Sequence, residues 1–163
     1  MSDVPRLDSP QARSFLTFRV GTQWYAVDVS AVFEVANMVA ISDVPDMPQA
    51  ILGVVNIRGN VVPVIDLRVR FNMPQHDLEL TTPIIFLHHD ENRLFGMIVD
   101  DVDDVILLSS MNITQSSLQR RAPHIAGLVD YENRLIMLLD PIALLASTLD
   151  DQALEDVFKS SES

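Results

Sequence analysis

Four carboxylates in five residues, DDVDD at 100–104, form the densest set of metal-type ligands in the chain. Oxygen donors of this kind suit a hard cation such as calcium. A calcium loop spaces its acids as D-x-[DN]-x-[DN]-G and ends on a distant glutamate, and neither feature occurs here. Val99, Val102 and Val105 alternate with the acids, which predicts that they crown a tight turn between two strands rather than surround an ion. The histidines offer little more. His88 and His89 are adjacent, so on a strand they point to opposite faces and cannot chelate together. His76 and His124 each stand alone in polar stretches, where solvated loop positions are expected. Ser109, Ser110, Ser116 and Ser117 cluster without a G-x-S-x-G frame or a neighbouring histidine. Asp28, Asp66 and Asp140 each follow an apolar run, but no D-[ST]-G triplet marks a carboxylate pair. Glycines at 21, 53, 59, 96 and 127 are too scattered to cradle a phosphate. No catalytic, metal or cofactor site is expected.

Composition narrows the partners. The 163 residues are 48% apolar, enough for one domain with a filled core. The chain has no cysteine, which removes disulfides and thiolate chemistry and fits a reducing compartment. A formal charge of -12 opposes nucleic-acid phosphate and anionic lipid. The opening MSDVPRLDSPQAR has no apolar run behind its arginines, and no stretch approaches the roughly 20 apolar residues that span a bilayer. A soluble, cytoplasmic protein is expected, with no membrane insertion.

Residues 1–13 read as a disordered lead-in. SFLTFRV, a GTQ turn and WYAVDV then predict a hairpin. In SAVFEVAN, the residues Val29, Val32, Phe33 and Ala36 share one helical face and Ser30 can cap, predicting a short helix. VPDMPQAILG predicts a single helical turn opened by Pro48 and stopped by Gly53. NIRGNVVPVIDLRVRF, at 56–71, predicts strand, tight turn and strand. Gly59 supplies the positive φ of the turn, and Pro63 requires an unpaired edge or a bulge. PIIFLHH turns through DENR into LFGMIV, and AGLVD turns through YENR into LIMLLD. The tetrapeptide ENRL opens a strand in both places, predicting shared turn chemistry. Asp140 and Pro141 start a helix over PIALLAST, and 150–163 form a helical or disordered tail. Many short paired strands with roughly two or three short helices predict a mostly β fold, a small barrel or sandwich.

Several of these blocks resemble one family. NIRGNVVPVIDLRVRF, the preceding VPDMPQAILGVV, the opening FLTFRVGTQWYAVDVSAVFEV, LFGMIVDDVDDVILL and the closing IAGLVDYENRLIMLLDPIALL are similar, in order and spacing, to the CheW family of chemotaxis adaptors. The resemblance covers 14–149 and leaves only the tails outside. It implies two small five-stranded β-barrel subdomains sharing a core. It also implies a non-catalytic adaptor that binds the regulatory domain of the histidine kinase CheA, alternates with it in rings, and grips a chemoreceptor tip between the barrels. CheA and CheV carry the same module within longer chains, so a single module points to the adaptor. By the same resemblance Arg58 lies near Glu34 on the short helix, an ion pair shaping the receptor groove. Val32, Gly53, Asn56 and Gly59 surround that groove, and Val99 and Asp100 lie near it or near the kinase contact. Asp101 stands where the family often carries glycine, which puts the turn after Asp100 in question.

Three readings follow. The first is an adaptor between receptors and CheA, recruited to arrays at the inner face of the membrane, with other CheW-like modules as further neighbours. The second is the same adaptor in a chemosensory pathway for type IV pili or gene expression. The third is a small acidic ligand-binding β-barrel, which requires a pocket with convergent polar groups.

Overall fold

Strand-forming residues arrive in pairs joined by tight turns, and the pairs are shared between two sheets. The computed structural model describes residues 12–74, 77–115 and 121–159. Most of the lead-in, His76, Ser116, Ser117 and the last four residues lie outside the described residues. Strands β1 (Arg13–Val20) and β2 (Gln23–Asp28) make the first hairpin, turned at Gly21 with φ +61°. A 3-10 turn at Val29–Ala31 leads into β3 (Val32–Asn37). Then come β4 (Ile51–Ile57), β5 (Asn60–Asp66), the one-turn helix α1 (Leu67–Arg70), β6 (Pro83–His88) and β7 (Leu94–Ile98). The chain ends with β8 (Asp101–Leu108), β9 (Thr114–Gln115), β10 (Ile125–Tyr131), β11 (Arg134–Leu139), α2 (Pro141–Thr148) and α3 (Asp151–Lys159).

One sheet runs β8-β1-β2-β11-β10-β9 and the other β3-β6-β7-β5-β4. The first therefore combines both ends of the chain, and the second is the contiguous middle. The fold is mostly β in two subdomains. The sheets are six- and five-stranded and open at their edges rather than closed barrels. Each has its own apolar filling, Phe15, Ala26, Ile106 and Ile136 in the first and Val62, Val64, Ile84 and Phe86 in the second. A third and larger cluster joins them, with Phe18, Tyr25, Ile65, Leu87, Phe95 and Met97 meeting Leu144, Leu154 and Phe158 from α2 and α3.

Several expectations need correction. Residues 32–37 are a strand, not a helix, because β3 pairs with β6. The cap of the preceding 3-10 turn is Asp28, whose carboxylate accepts the Ser30 N–H at 2.9 Å. Gly53 ends no helix. It lies inside β4, at a register shift against β5. The acids at 101–104 do not crown a turn. They begin β8, where Asp103 and Asp104 together oppose Thr17 in a bulge between the pairs Leu16–Val105 and Phe18–Val102. The buried Thr17 hydroxyl donates to the Asp104 carbonyl at 2.9 Å and accepts its N–H at 3.0 Å, satisfying the ladder groups that the bulge frees. Among the described residues no group of three His, Asp or Glu side chains has a metal-holding arrangement.

Other readings hold. Pro63 faces Val54, whose own backbone bonds go to Ser42, and the parallel ladder to β7 begins only at Val64. Asp140 caps α2 through the Ala143 N–H at 3.1 Å, with Pro141 in its first turn. The two ENRL segments differ, however. Glu132 and Asn133 form a two-residue turn with φ +50° and +64°, whereas 89–93 make a wider loop closed by the His88–Leu94 pair.

His124 is not solvated. It is 9% exposed and stacks on Phe71 at 5.5 Å, ending an aromatic column that runs through Tyr25 to Phe18. Burial pushes the Tyr25 phenol up to about 12. Burial, aided by the Arg70 charge, lowers the His124 pKa below its ordinary 6.5. The folded state thus keeps the imidazole neutral where the unfolded chain would protonate it. The stability from this site is whole above pH 6.5 and is lost as the pH falls from there through the lowered folded value. Urea midpoints measured from pH 7.5 down to 5 should decline, and His124→Phe, which keeps the stacking, should remove part of that slope.

Candidate docking site

The β4–β5 connection is a two-residue turn closed by the Ile57–Asn60 pair. Arg58 has φ +54° and Gly59 φ +86°, the pattern of a type I′ turn, whose hand matches strand twist. Gly59 is needed for conformation and not for space, since a Cβ there would meet nothing within 4 Å. Arg58 also adopts the left-handed region, at a cost of about 1–2 kcal/mol for a residue with a Cβ. Asn56 offsets part of this by accepting the Gly59 N–H on Oδ1 at 3.0 Å. The turn is therefore rigid, and Arg58 leaves it in a fixed direction.

Arg58 Nη2 lies 3.6 Å from Glu34 Oε1. Glu34 projects from β3, not from a helix, so the pair ties a strand to a hairpin. β3 and β4 are opposite edges of the five-stranded sheet, and their approach shows how strongly it curls. With side chains 73% and 42% exposed, the pair is worth under about 1 kcal/mol to stability. The Arg58 guanidinium also lies 5.3 Å from the ring centre of Phe33, and His88 meets that ring edge-on at 5.6 Å. Phe33 and His88 were missed in the sequence; an aromatic residue beside Glu34 was the available signal.

Gly53 is further along β4. A Cβ there would stand 2.2 Å from the Ser42 carbonyl oxygen, because residue 42 bridges to Val54 by two hydrogen bonds of 2.8 Å. Val32 is half-buried against the shared core, as are Leu16, Ala31 and Val102. Val105 pairs with Leu16 and is 52% exposed, and Leu107 is 67% exposed, so apolar surface continues from the core out along β8.

Val99 is fully buried in the shared core and bears on any docking surface only through packing. Asp100 is turned inward. Its Oδ2 accepts the Gly21 N–H at 2.5 Å and its Oδ1 lies 3.7 Å from Arg68 Nη1. Arg68, 3% exposed, also holds Asp66 through Nε and Nη2, both at 3.3 Å. This cluster links the first hairpin, α1 and the β7–β8 junction. It borders a cleft of about 780 Å³ that also includes Arg19, Met73 and Thr82. Asp101 has no positive φ and pairs with Arg19, so the backbone does not require glycine there.

The CheW-like domain family model matches residues 14–149. The chain is 33% identical over 144 residues to the chemotaxis protein CheW of Bacillus subtilis, covering 86% of this chain and 92% of that protein. It is 31% identical over 147 residues to the CheW of Klebsiella aerogenes, covering 88% and 87%. A crystal structure of the scaffolding protein TtCheW from Thermoanaerobacter tengcongensis superposes with a TM-score of 0.75 at 26% identity, covering 82% of this chain and 92% of that one. The chain therefore belongs to the CheW-like domain family, and the CheW and scaffolding proteins that it matches along their length are non-catalytic adaptors.

Proposed function

We propose that this chain couples chemoreceptor tips to a CheA-type histidine kinase, within arrays at the inner face of the membrane that include other CheW-like modules. The receptor tip docks where the shared core reaches the surface at Leu16, Val32, Val102 and Val105, with Arg58 and Glu34 further along as its polar border. These half-buried apolar side chains, with Val105 exposed beside Leu16, are the observation that carries the reading. A partly uncovered apolar strip with a charged rim is the usual build of a transient protein interface. Gly53, Asn56 and Gly59 shape the strand and turn behind it, and Asp100 fixes the inter-sheet junction. Each contact is modest, and multivalency in the array supplies the rest of the avidity.

The test is a charge exchange. Arg58→Glu and Glu34→Arg should each weaken co-sedimentation with receptor-bearing membranes about 5- to 10-fold, a little over 1 kcal/mol. The double variant should recover part of that loss. Failure of the swap to recover any binding would discard the pairing. An Arg58→Ala protein that still binds both receptor and kinase normally would discard this docking surface.

A further inference from the structure

The Arg58–Glu34 contact is too exposed to hold the guanidinium by itself. An arginine carries five N–H donors in a planar fork, and here one carboxylate lies at 3.6 Å while the side chain is 73% exposed. Three further restraints converge on it. The left-handed turn fixes where the side chain starts, and Asn56 locks that turn through the Gly59 N–H. Phe33 lies against the guanidinium at 5.3 Å, within the range of a cation–π contact. Phe33 is itself held. It packs on the apolar filling of the five-stranded sheet, and His88 abuts its ring at 90°. Phe33 and Glu34 are consecutive on β3 at the shift in its register against β6, where the regular alternation of faces is broken, so one strand supplies both the platform and the counter-charge.

We propose that Phe33 is the positioning residue for Arg58, holding the guanidinium so that its remaining N–H donors are preset to receive a carboxylate of the docked partner. This rests on the reading that Arg58 borders the receptor surface. A carboxylate is the fitting group because the fork matches it in a bidentate manner. Holding the fork in advance lowers the ordering cost of binding. Phe33 acts through Arg58 and need not touch the partner.

The test measures dissociation constants for a soluble chemoreceptor signalling-tip fragment with Phe33→Leu, Phe33→Tyr, Arg58→Ala and the Phe33→Leu/Arg58→Ala double variant. Phe33→Leu should bind about 2- to 5-fold more weakly, the loss expected for an exposed cation–π contact. Phe33→Tyr, which keeps the ring face, should match the unaltered protein. The double variant should be no weaker than Arg58→Ala alone. Additive losses, or equal binding by Phe33→Leu and the unaltered protein, would overturn the proposal. If Arg58→Ala binds normally, the docking reading fails instead, and the positioning is then read without a partner. The Arg58 Nε–Hε resonance should lose its ring-current shift and become more mobile in Phe33→Leu but not in Phe33→Tyr. An unchanged resonance would overturn the proposal there too.

Discussion

Arg68→Met should lower the unfolding free energy by about 3–5 kcal/mol, the usual result of removing one side of a buried ion cluster. The side chains of Arg68 and Asp66 are each 4% exposed and that of Asp100 is 15% exposed, so little water is available to take over from the guanidinium. Methionine fills much of the same space, which leaves charge and hydrogen bonding as the main loss. Two carboxylates would then share a dry junction without their cation. Neutralising them should help, so Arg68→Met with Asp66→Asn should regain part of the loss, a coupling that independent sites would not show. Arg68→Lys should fall between, because an ammonium cannot span both carboxylates with a planar fork. Urea denaturation reads all four proteins. A loss below about 1 kcal/mol for Arg68→Met would mean that the cluster behaves like a surface pair.

Gly53→Ala should cost about 2–4 kcal/mol, combining overpacking with backbone strain. The added methyl would sit 2.2 Å from the Ser42 carbonyl oxygen and 2.8 Å from the Ile41 side chain, and the first of these is backbone that cannot rotate away. The φ of +156° adds strain for any residue with a Cβ. The least costly relief is to break the Ser42–Val54 bridge, freeing the 41–42 segment from β4. Loss of amide protection at Ser42 and Val54 should therefore exceed the loss elsewhere in the sheet. Uniform weakening throughout the domain would show that the glycine matters for some other reason. Since β4 carries the Arg58 turn, the receptor docking proposed above predicts that binding of a receptor tip drops as well.

The hairpins were legible because their signals are local. Arg58-Gly59 between apolar runs, and Asp140-Pro141 before PIALLAST, each fix their own geometry within a few residues. VFEVAN was not, since its apolar residues fit a helical face as well as an edge strand and only pairing with β6 decides between them. The β-branched Val32 and Val35 were the signal that favoured a strand. The acids at 101–104 misled in the same way, because a bulge against Thr17 is a property of two distant strands. For the site, the Arg58–Glu34 contact came from resemblance and the structure contains it, but on a strand. The Asp66–Arg68–Asp100 cluster lay beyond reach, because no local pattern shows two separated carboxylates converging on one guanidinium.

The interleaved strand order also dictates how the protein must mature on the ribosome. The middle sheet is complete once β7 has emerged, from neighbours that are close in sequence. The outer sheet cannot close until β11 aligns in parallel with β2, a pairing of the chain's two ends that carries a large entropic toll. Until then the β2 side of the first hairpin is left unpaired, although β8 can already cover its β1 side, and a nascent chain stalled before Arg134 would expose a strand border suited to clumping with its neighbours.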